Sequence, residues 1–259
     1  MIDKTTTLAE AVRMVSDGQV LGLGGMTIYR RPVGFANALI RRRRPPRTLT
    51  LLSFTGGLAS DMLVGAGIVT QTRCCYFGLE TFGLAPMFTT AVSAGTLQVI
   101  EESEASIANG LRAKMAGTGF MPSPAWIGTD MFTVRPDVQM VIDPYSGTTL
   151  TAFPAISCDI AVIHALQADR SGNILLGGNP TIDLELANVS KVVIVTAEKV
   201  VESLPAPIDI PSHAVTAVVP LPNGAWPTSC YPLYPIDGEE ILRYIAACNA
   251  GQFEDYVHH

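Results

Sequence analysis

The feature that most constrains the fold of this chain is an alternation that sets in near residue 19. QVLGLGG is an apolar segment of strand length, and PVGFANALIRRRR follows with Phe35 and Leu39 on one helical face. TLTLLSF is strand-like again, LASDMLVGAG helical and RCCYFG strand-like. Apolar runs that end in glycine and are separated by helical patterns read as crossover units, in which parallel strands are buried on both faces beneath helices. The expected fold class is therefore α/β, an open, mostly parallel sheet flanked by helices. The chain has 259 residues, 48% of them apolar, enough to fill such a core. No linker or compositional break divides it, so residues 1–259 are expected to form one domain.

The flanking segments agree with this reading. Thr7-Leu8-Ala9-Glu10 fits a capping box at the start of a first helix. Pro32 suits a first helical turn. EESEASIANGLRAKMAG carries a mid-chain helix from Ser103 or Glu104 to Met115, and residues 120–150 read as loops with short strands. CDIAVIHALQA is a strong strand, TIDLELANV a helix, and KVVIVTAEKV and HAVTAVVP strands. DGEEILRYIAACNAGQFEDYV closes the chain in a helical pattern.

Charge and cysteine usage exclude several function classes. A net charge of −6 gives no general attraction to DNA or anionic membrane. The exception is RRRRPPR, Arg41 to Arg47, which reads as a solvated helix end or as an anion or partner contact. It has no aromatic residues between its charges, and no nucleic-acid partner is expected. No run of 18 apolar residues exists, so no membrane span is expected. The five cysteines form no CxxC pair, and because charged residues recur from Asp3 to Arg13 no leading signal segment is expected; free thiols and a cytoplasmic location are the expectation. The four histidines show no metal-ligand spacing, and no metal site is expected. His164, at the end of a hydrophobic strand, is either a satisfied core histidine or a site residue.

Two glycine loops follow the first two strands. GLGGMT places Gly24, Gly25, Met26 and Thr27 at a strand end, and SFTGGLASD does the same for Phe54, Thr55, Gly56 and Gly57. Neither matches GxGxxG or GxxxxGK[ST], so a nucleotide fingerprint fits poorly. A structural turn and a ligand wall both remain open, because ligands collect outside the carboxyl ends of parallel strands and glycine permits close approach. Glu101, Glu102 and Glu104 cluster before the mid-chain helix, either as a solvated helix start, as a substrate contact, or as a carboxylate nucleophile.

Four segments together resemble one family: LGLGGMTIYRRP, GLRAKMAGTGFMPSP, CDIAVIHALQADRSGNILLGG, and VTAEKVVESLP with PNGAWPTSCYPLY. They are similar to the A (alpha) subunit of two-subunit family I CoA-transferases, especially the glutaconate CoA-transferase type, over residues 7 to 250. The resemblance implies a CoA-transferase (NagB/RpiA-like) fold and a homologous B (beta) subunit of similar size, in an α2β2 heterotetramer. It implies that CoA passes between an acyl-CoA, expected to be dicarboxylic, and a carboxylic acid. The route is a glutamyl-CoA intermediate on the B subunit. CoA thioester is then a substrate, and no bound cofactor is expected. By motif match this chain's wall of the acyl pocket would be Gly24, Gly25, Met26, Thr27 and Arg30 or Arg31, with Phe54, Thr55, Gly56 and Gly57 nearby. An arginine there would hold a remote carboxylate, while Met26 and Ile28 would favour a more apolar acyl group. Relatives of the same fold decarboxylate dicarboxylyl-CoA or hydrolyse steroid-derived CoA esters. In the hydrolytic ones a glutamate at the start of the mid-chain helix acts, and Glu104 is its counterpart by register. A hydrolase or decarboxylase subunit, or a non-catalytic scaffold subunit, are therefore the alternatives.

Overall fold

The structure, a computed structural model, describes residues 2–258. Helix α1 (Leu8–Arg13) precedes β1 (Val20–Leu23), α2 (Val33–Ile40), β2 (Leu49–Leu52), the two-residue β3 (Thr55–Gly56) and α3 (Leu58–Gly65). Next come β4 (Val69–Cys74), the two-residue β5 (Tyr76–Phe77), α4 (Pro86–Ser93), β6 (Gln98–Glu101) and α5 (Glu104–Met115). The middle of the chain holds β7 (Phe120–Ser123), α6 (Met131–Val134), β8 (Gln139–Ile142) and β9 (Thr149–Pro154). The long β10 (Cys158–Asp169), β11 (Ile174–Leu175), α7 (Asp183–Val189) and β12 (Ser190–Val201) follow, then β13 (Ala217–Pro220), α8 (Gly238–Asn249) and α9 (Phe253–His258).

The central sheet runs β13-β12-β10-β1-β2-β4-β6, with every neighbouring pair parallel; β11 adds to β10 antiparallel. From β1 the chain builds outward through β2, β4 and β6, then returns to the other side of β1 as β10. That reversal places a topological switch point between β1 and β10, where open α/β sheets bind ligands. Strand alternation divides the core between the two faces. Leu21, Leu23, Ile160 and Val162 pack beneath α1, α2, α3, α8 and α9. Ala161, Ile163 and Val193 pack against Ile107 and Leu111 of α5 and Leu186 of α7 on the other face.

Local sequence signals decided several element boundaries. Thr7 and Glu10 form the capping box that starts α1. Pro32 stands one position before α2, as its N-cap residue. The RCCYFG strand begins earlier than its sequence suggests, at Val69, and breaks at Cys75; Tyr76–Phe77 then leaves the main sheet to pair with Thr55–Gly56. The C-terminal pattern is two helices, interrupted at Gly251 with φ +72°. Residues 120–154 form a three-stranded antiparallel sheet, β7-β9-β8, around Trp126, Val138 and Phe153.

One core acid has a measurable consequence. Asp61 in α3 is fully buried and accepts Tyr244 O–H (2.7 Å) and Phe88 N–H (2.7 Å). Burial outweighs these bonds and pushes its carboxyl up to about 6 from 3.8. Between those values the folded state binds more protons than the unfolded chain, so this contribution is fully present below about pH 4 and is lost as pH rises through 6. It amounts to about 3 kcal/mol. Asp61→Asn should therefore gain stability relative to the parent by about that amount between pH 4 and 7, read from melts across pH. A stability difference that stays flat over this range would refute the assignment.

Candidate active site at the strand ends

The loop after β1 leaves at the switch point and is held in a strained course. Gly25 (φ +73°), Thr27 (φ +34°) and Arg30 (φ +52°) occupy left-handed backbone within six residues. A Cβ on Gly25 would lie 2.7 Å from Tyr29 O and 2.8 Å from Arg30 C, so the turn closes only around a glycine. Such backbone persists where its surroundings over-determine it. Here two arginines do so, and they are the largest fully buried side chains among the described residues. Arg31 Nη1 donates to Gly24 O (2.8 Å) and Gly25 O (3.1 Å), and its Nη2 to Ser60 Oγ (3.0 Å). Arg30 Nη1 donates to His164 O on β10 (2.6 Å), and its Nη2 to Asn179 O (2.8 Å).

Asp183, at the start of α7, completes this clamp. Its Oδ1 accepts Gly25 N–H (2.9 Å), and its Oδ2 lies 2.6 Å from Arg30 Nη2. Both side chains are wholly buried. Oδ2 is not met along an N–H axis, so the attraction there is chiefly coulombic. Arg31 has no acid within pairing distance, and burial lowers its guanidinium to about 10.

The loop after β2 packs directly on the first. Thr27 N–H and Thr27 Oγ1 both reach Thr55 Oγ1, at 2.9 and 3.0 Å. Gly57 rests against the Thr27 peptide so closely that a Cβ there would lie 2.6 Å from Thr27 C and nearer still to its oxygen. The two glycine loops thus pack into one continuous layer, in which Gly24, Gly25, Thr27, Thr55, Gly56 and Gly57 are buried and Met26 and Phe54 are half-exposed. Cys75, at the end of β4, donates through Sγ to Phe54 O (2.9 Å). Burial first, and then the charge of Glu104, push its thiol up to about 12. Cys74 is in register with Glu101 on the parallel β6, so Cys75 and Glu104 both follow at the carboxyl edge of the sheet.

The three clustered glutamates separate in space. Glu102 is buried and pairs with Arg135 (2.7 Å) and Arg73 (3.4 Å). Glu101 is exposed on the edge strand β6. Glu104 is the first residue of α5, exposed, after the Ser103 cap, whose hydroxyl also accepts Trp126 Nε1–H (2.7 Å).

Behind Arg30 lies a second polar cluster. His164, fully buried, bonds Thr196 Oγ1 through Nδ1 (2.8 Å) and Glu198 through Nε2 (2.7 Å). Glu198 also accepts Tyr234 O–H and Asn223 N–H. Burial holds the imidazole below its ordinary value, partly offset by Glu198. His164, Glu198 and Cys230 bring metal-ligating atom types within 4.8 Å of one another. The His164 and Glu198 atoms are already bonded to each other, and the Cys230 thiol is raised to about 11 by burial, so the set acts as a hydrogen-bonded brace behind the clamp.

A model of the coenzyme A transferase family matches residues 5–220, which contain both loops, the clamp and Glu104. The chain belongs to the coenzyme A transferase family. It is 34% identical to the A subunit of the 3-oxoadipate CoA-transferase of Pseudomonas knackmussii, over 89% of this chain and 83% of that one. It is 30% identical to the cholesterol ring-cleaving hydrolase IpdA subunit of Rhodococcus jostii, over 94% and 86%. Among solved structures, the glutaconate CoA-transferase of Acidaminococcus fermentans superposes with a TM-score of 0.89 at 28% identity, covering 98% of this chain and 86% of that one. The decarboxylase AibA/AibB superposes with a TM-score of 0.91 at 30% identity, covering 99% and 98%. The expected α/β CoA-transferase fold and the resemblance to family I A subunits therefore stand.

The structure sorts the expected site residues of this CoA-transferase chain. Gly24, Gly25, Met26, Thr27, Phe54, Thr55, Gly56 and Gly57 come together at the carboxyl ends of β1 and β2, and Glu104 lies past the end of β6 on the same edge of the sheet. Arg30 and Arg31, one of which is expected to grip a substrate carboxylate, are drawn inside and wholly buried in this chain. Desolvating a guanidinium is costly, and backbone carbonyls and Ser60 accept from their Nη atoms while Asp183 supplies Arg30's counter-charge. Asp183 itself carries no signal in the sequence. In TIDLEL it reads as an ordinary first-turn helix acid, and its partners are 153 and 158 positions away. Among the described residues no helix is long and apolar enough to cross a membrane, and the five cysteines are free thiols.

Proposed function

We propose that this chain is the A subunit of a heteromeric CoA-transferase, moving CoA between an acyl-CoA and a carboxylic acid, and that its two packed glycine loops form one wall of the acyl site. The observation that carries the reading is the Gly57–Thr27 contact, which packs two strand-end loops into a single layer within the family-matched region and leaves Met26 and Phe54 half-exposed at its edge. A homologous B subunit in an α2β2 assembly would supply the attacking glutamate and carry the glutamyl-CoA thioester. Coenzyme A thioester is then a substrate, not a bound cofactor. On this wall a backbone surface suits a reaction that exchanges two carboxylic acids, because it excludes water without committing a charged group to either. Met26 and Phe54 at its edge favour an apolar acyl body. With both guanidiniums held internally, any remote carboxylate of a dicarboxylic acyl group would be bound by the partner.

Hydrolysis is the second reading, supported by Glu104, an exposed carboxylate at the same carboxyl edge of the sheet as the two loops. One experiment separates the two. The chain is assembled with its B subunit, incubated with acyl-CoA, treated with borohydride, and each subunit is weighed by mass spectrometry. For transfer, the reduced adduct is expected on the B subunit and Glu104→Gln keeps turnover within about tenfold. Absence of an adduct, steady release of free acid, and a loss of about 10²–10⁴-fold in Glu104→Gln would instead assign Glu104 as general base of a hydrolase.

A further inference from the structure

The arginine run left unexplained by the acyl site lines a groove at the opposite end of the sheet. Gly18 N–H bonds Arg47 O at 3.0 Å, so this end lies before β1 and β2, at their amino ends. The groove, about 840 Å³, has a floor of Leu8, Val12 and Ala38 from α1 and α2 and a rim of Arg13, Arg43 and Arg44. Two neighbouring arginines have structural work. Arg41 Nε donates to Val257 O (2.6 Å), and Arg42 Nη1 donates to Val15 O (2.8 Å), tying the end of α2 to α1. The three rim arginines are exposed and enter none of the ion pairs among the described residues. Glu10 is near enough to feel Arg13 but is held by Thr6 and Thr7. Six of the chain's 17 basic residues thus lie in this one region of a protein whose net charge is −6.

We infer that this groove is a binding site for an organic phosphate of the nucleoside diphosphate class, with phosphates on Arg13, Arg43 and Arg44 and the ring on the apolar floor. Guanidinium forks match phosphate oxygens in pairs, and those on this rim come from two separate segments around one hollow. The hollow is of small-ligand size. The hollow on the other flank of Arg42–Arg44 is less suitable, because Asp17 lines it and opposes an anion.

The test is calorimetric titration of the assembled enzyme, chain plus B subunit, with ADP and separately with inorganic pyrophosphate. ADP is expected to bind at least about tenfold more tightly than pyrophosphate, since only ADP uses the floor. The double change Arg43→Ser with Arg44→Ser should weaken ADP at least about tenfold, and Arg13→Ser on the separate helix should weaken it too. Acyl-CoA turnover without ADP should not change in either. Absence of ADP binding would overturn the inference. So would equal affinity for pyrophosphate, which marks a mere anion patch, or binding unaltered in both variants, which places ADP in the acyl-CoA site. Binding to the free chain that vanishes on assembly would also overturn it, by making the groove part of the subunit interface.

Discussion

Gly57→Ala is expected to lower acyl-CoA turnover of the assembled enzyme by about a hundredfold or more. The cause is steric and lies on the backbone. The added Cβ would sit 2.6 Å from Thr27 C and closer to its oxygen, and no rotamer relieves a clash with a peptide group. Gly57 itself is extended (φ −142°), so conformational strain contributes little and close approach accounts for the effect. The loops must separate, breaking the Thr27–Thr55 bonds and shifting the wall against which the acyl group lies. Overpacking of this kind costs about 1–3 kcal/mol of stability, so the folded fraction must be measured by circular dichroism and melting alongside turnover. Gly178→Ala is the control: it adds the same methyl group to an exposed loop where nothing lies within 4 Å, and should leave activity unchanged. A folded Gly57→Ala enzyme with parental turnover would remove the glycine wall from the acyl site.

The second large effect concerns the clamp. Asp183→Asn should destabilise the chain by about 3–5 kcal/mol, because it leaves the buried Arg30 guanidinium without its counter-charge. The loss far exceeds that of an exposed pair such as Arg170–Asp3, which solvent screens. The amide oxygen can still accept Gly25 N–H, so the charge is what this change isolates. Combining it with Arg30→Met removes the stranded charge and should restore part of the stability, as measured by denaturant unfolding of the single and double variants. Purely additive losses in this cycle would mean that the two side chains contribute independently and that the clamp is not a coulombic unit.

Much of the architecture was legible in the sequence because its causes are local. The alternation from Gln19 to Gly78 specified parallel strands and covering helices, since a strand buried on both faces must be apolar at every position. Thr7 and Glu10 announced α1 because a capping box closes within four residues. The glycines at residues 24–25 and 56–57 marked where backbone approaches something closely: Asp183 at Gly24, the Tyr29–Arg30 backbone at Gly25, Phe77 at Gly56 and the other loop's Thr27 at Gly57. The antiparallel sheet at residues 120–154 was read only as loops with short strands, because its strands span four to six residues and are interrupted by Pro122 and Pro154.

What only the tertiary structure decided is how each charge is used. Arg30 and Arg31 look, in the sequence, like two more members of a basic surface series or like ligands for a carboxylate. Folding instead places them beneath the loop, where His164 O and the carbonyls of Gly24 and Gly25 accept from their Nη atoms and Asp183 supplies the counter-charge. Three clustered glutamates become an exposed edge, a buried ion pair with Arg135, and an open carboxylate at the start of α5. The physical reason is one of range. Periodicity and capping depend on neighbours a few residues apart, so the sequence carries them openly. The state of a buried charge depends on which group from a distant strand or helix lies within about 3 Å of it, and the desolvation cost that enforces such pairing appears only once the chain has closed around it.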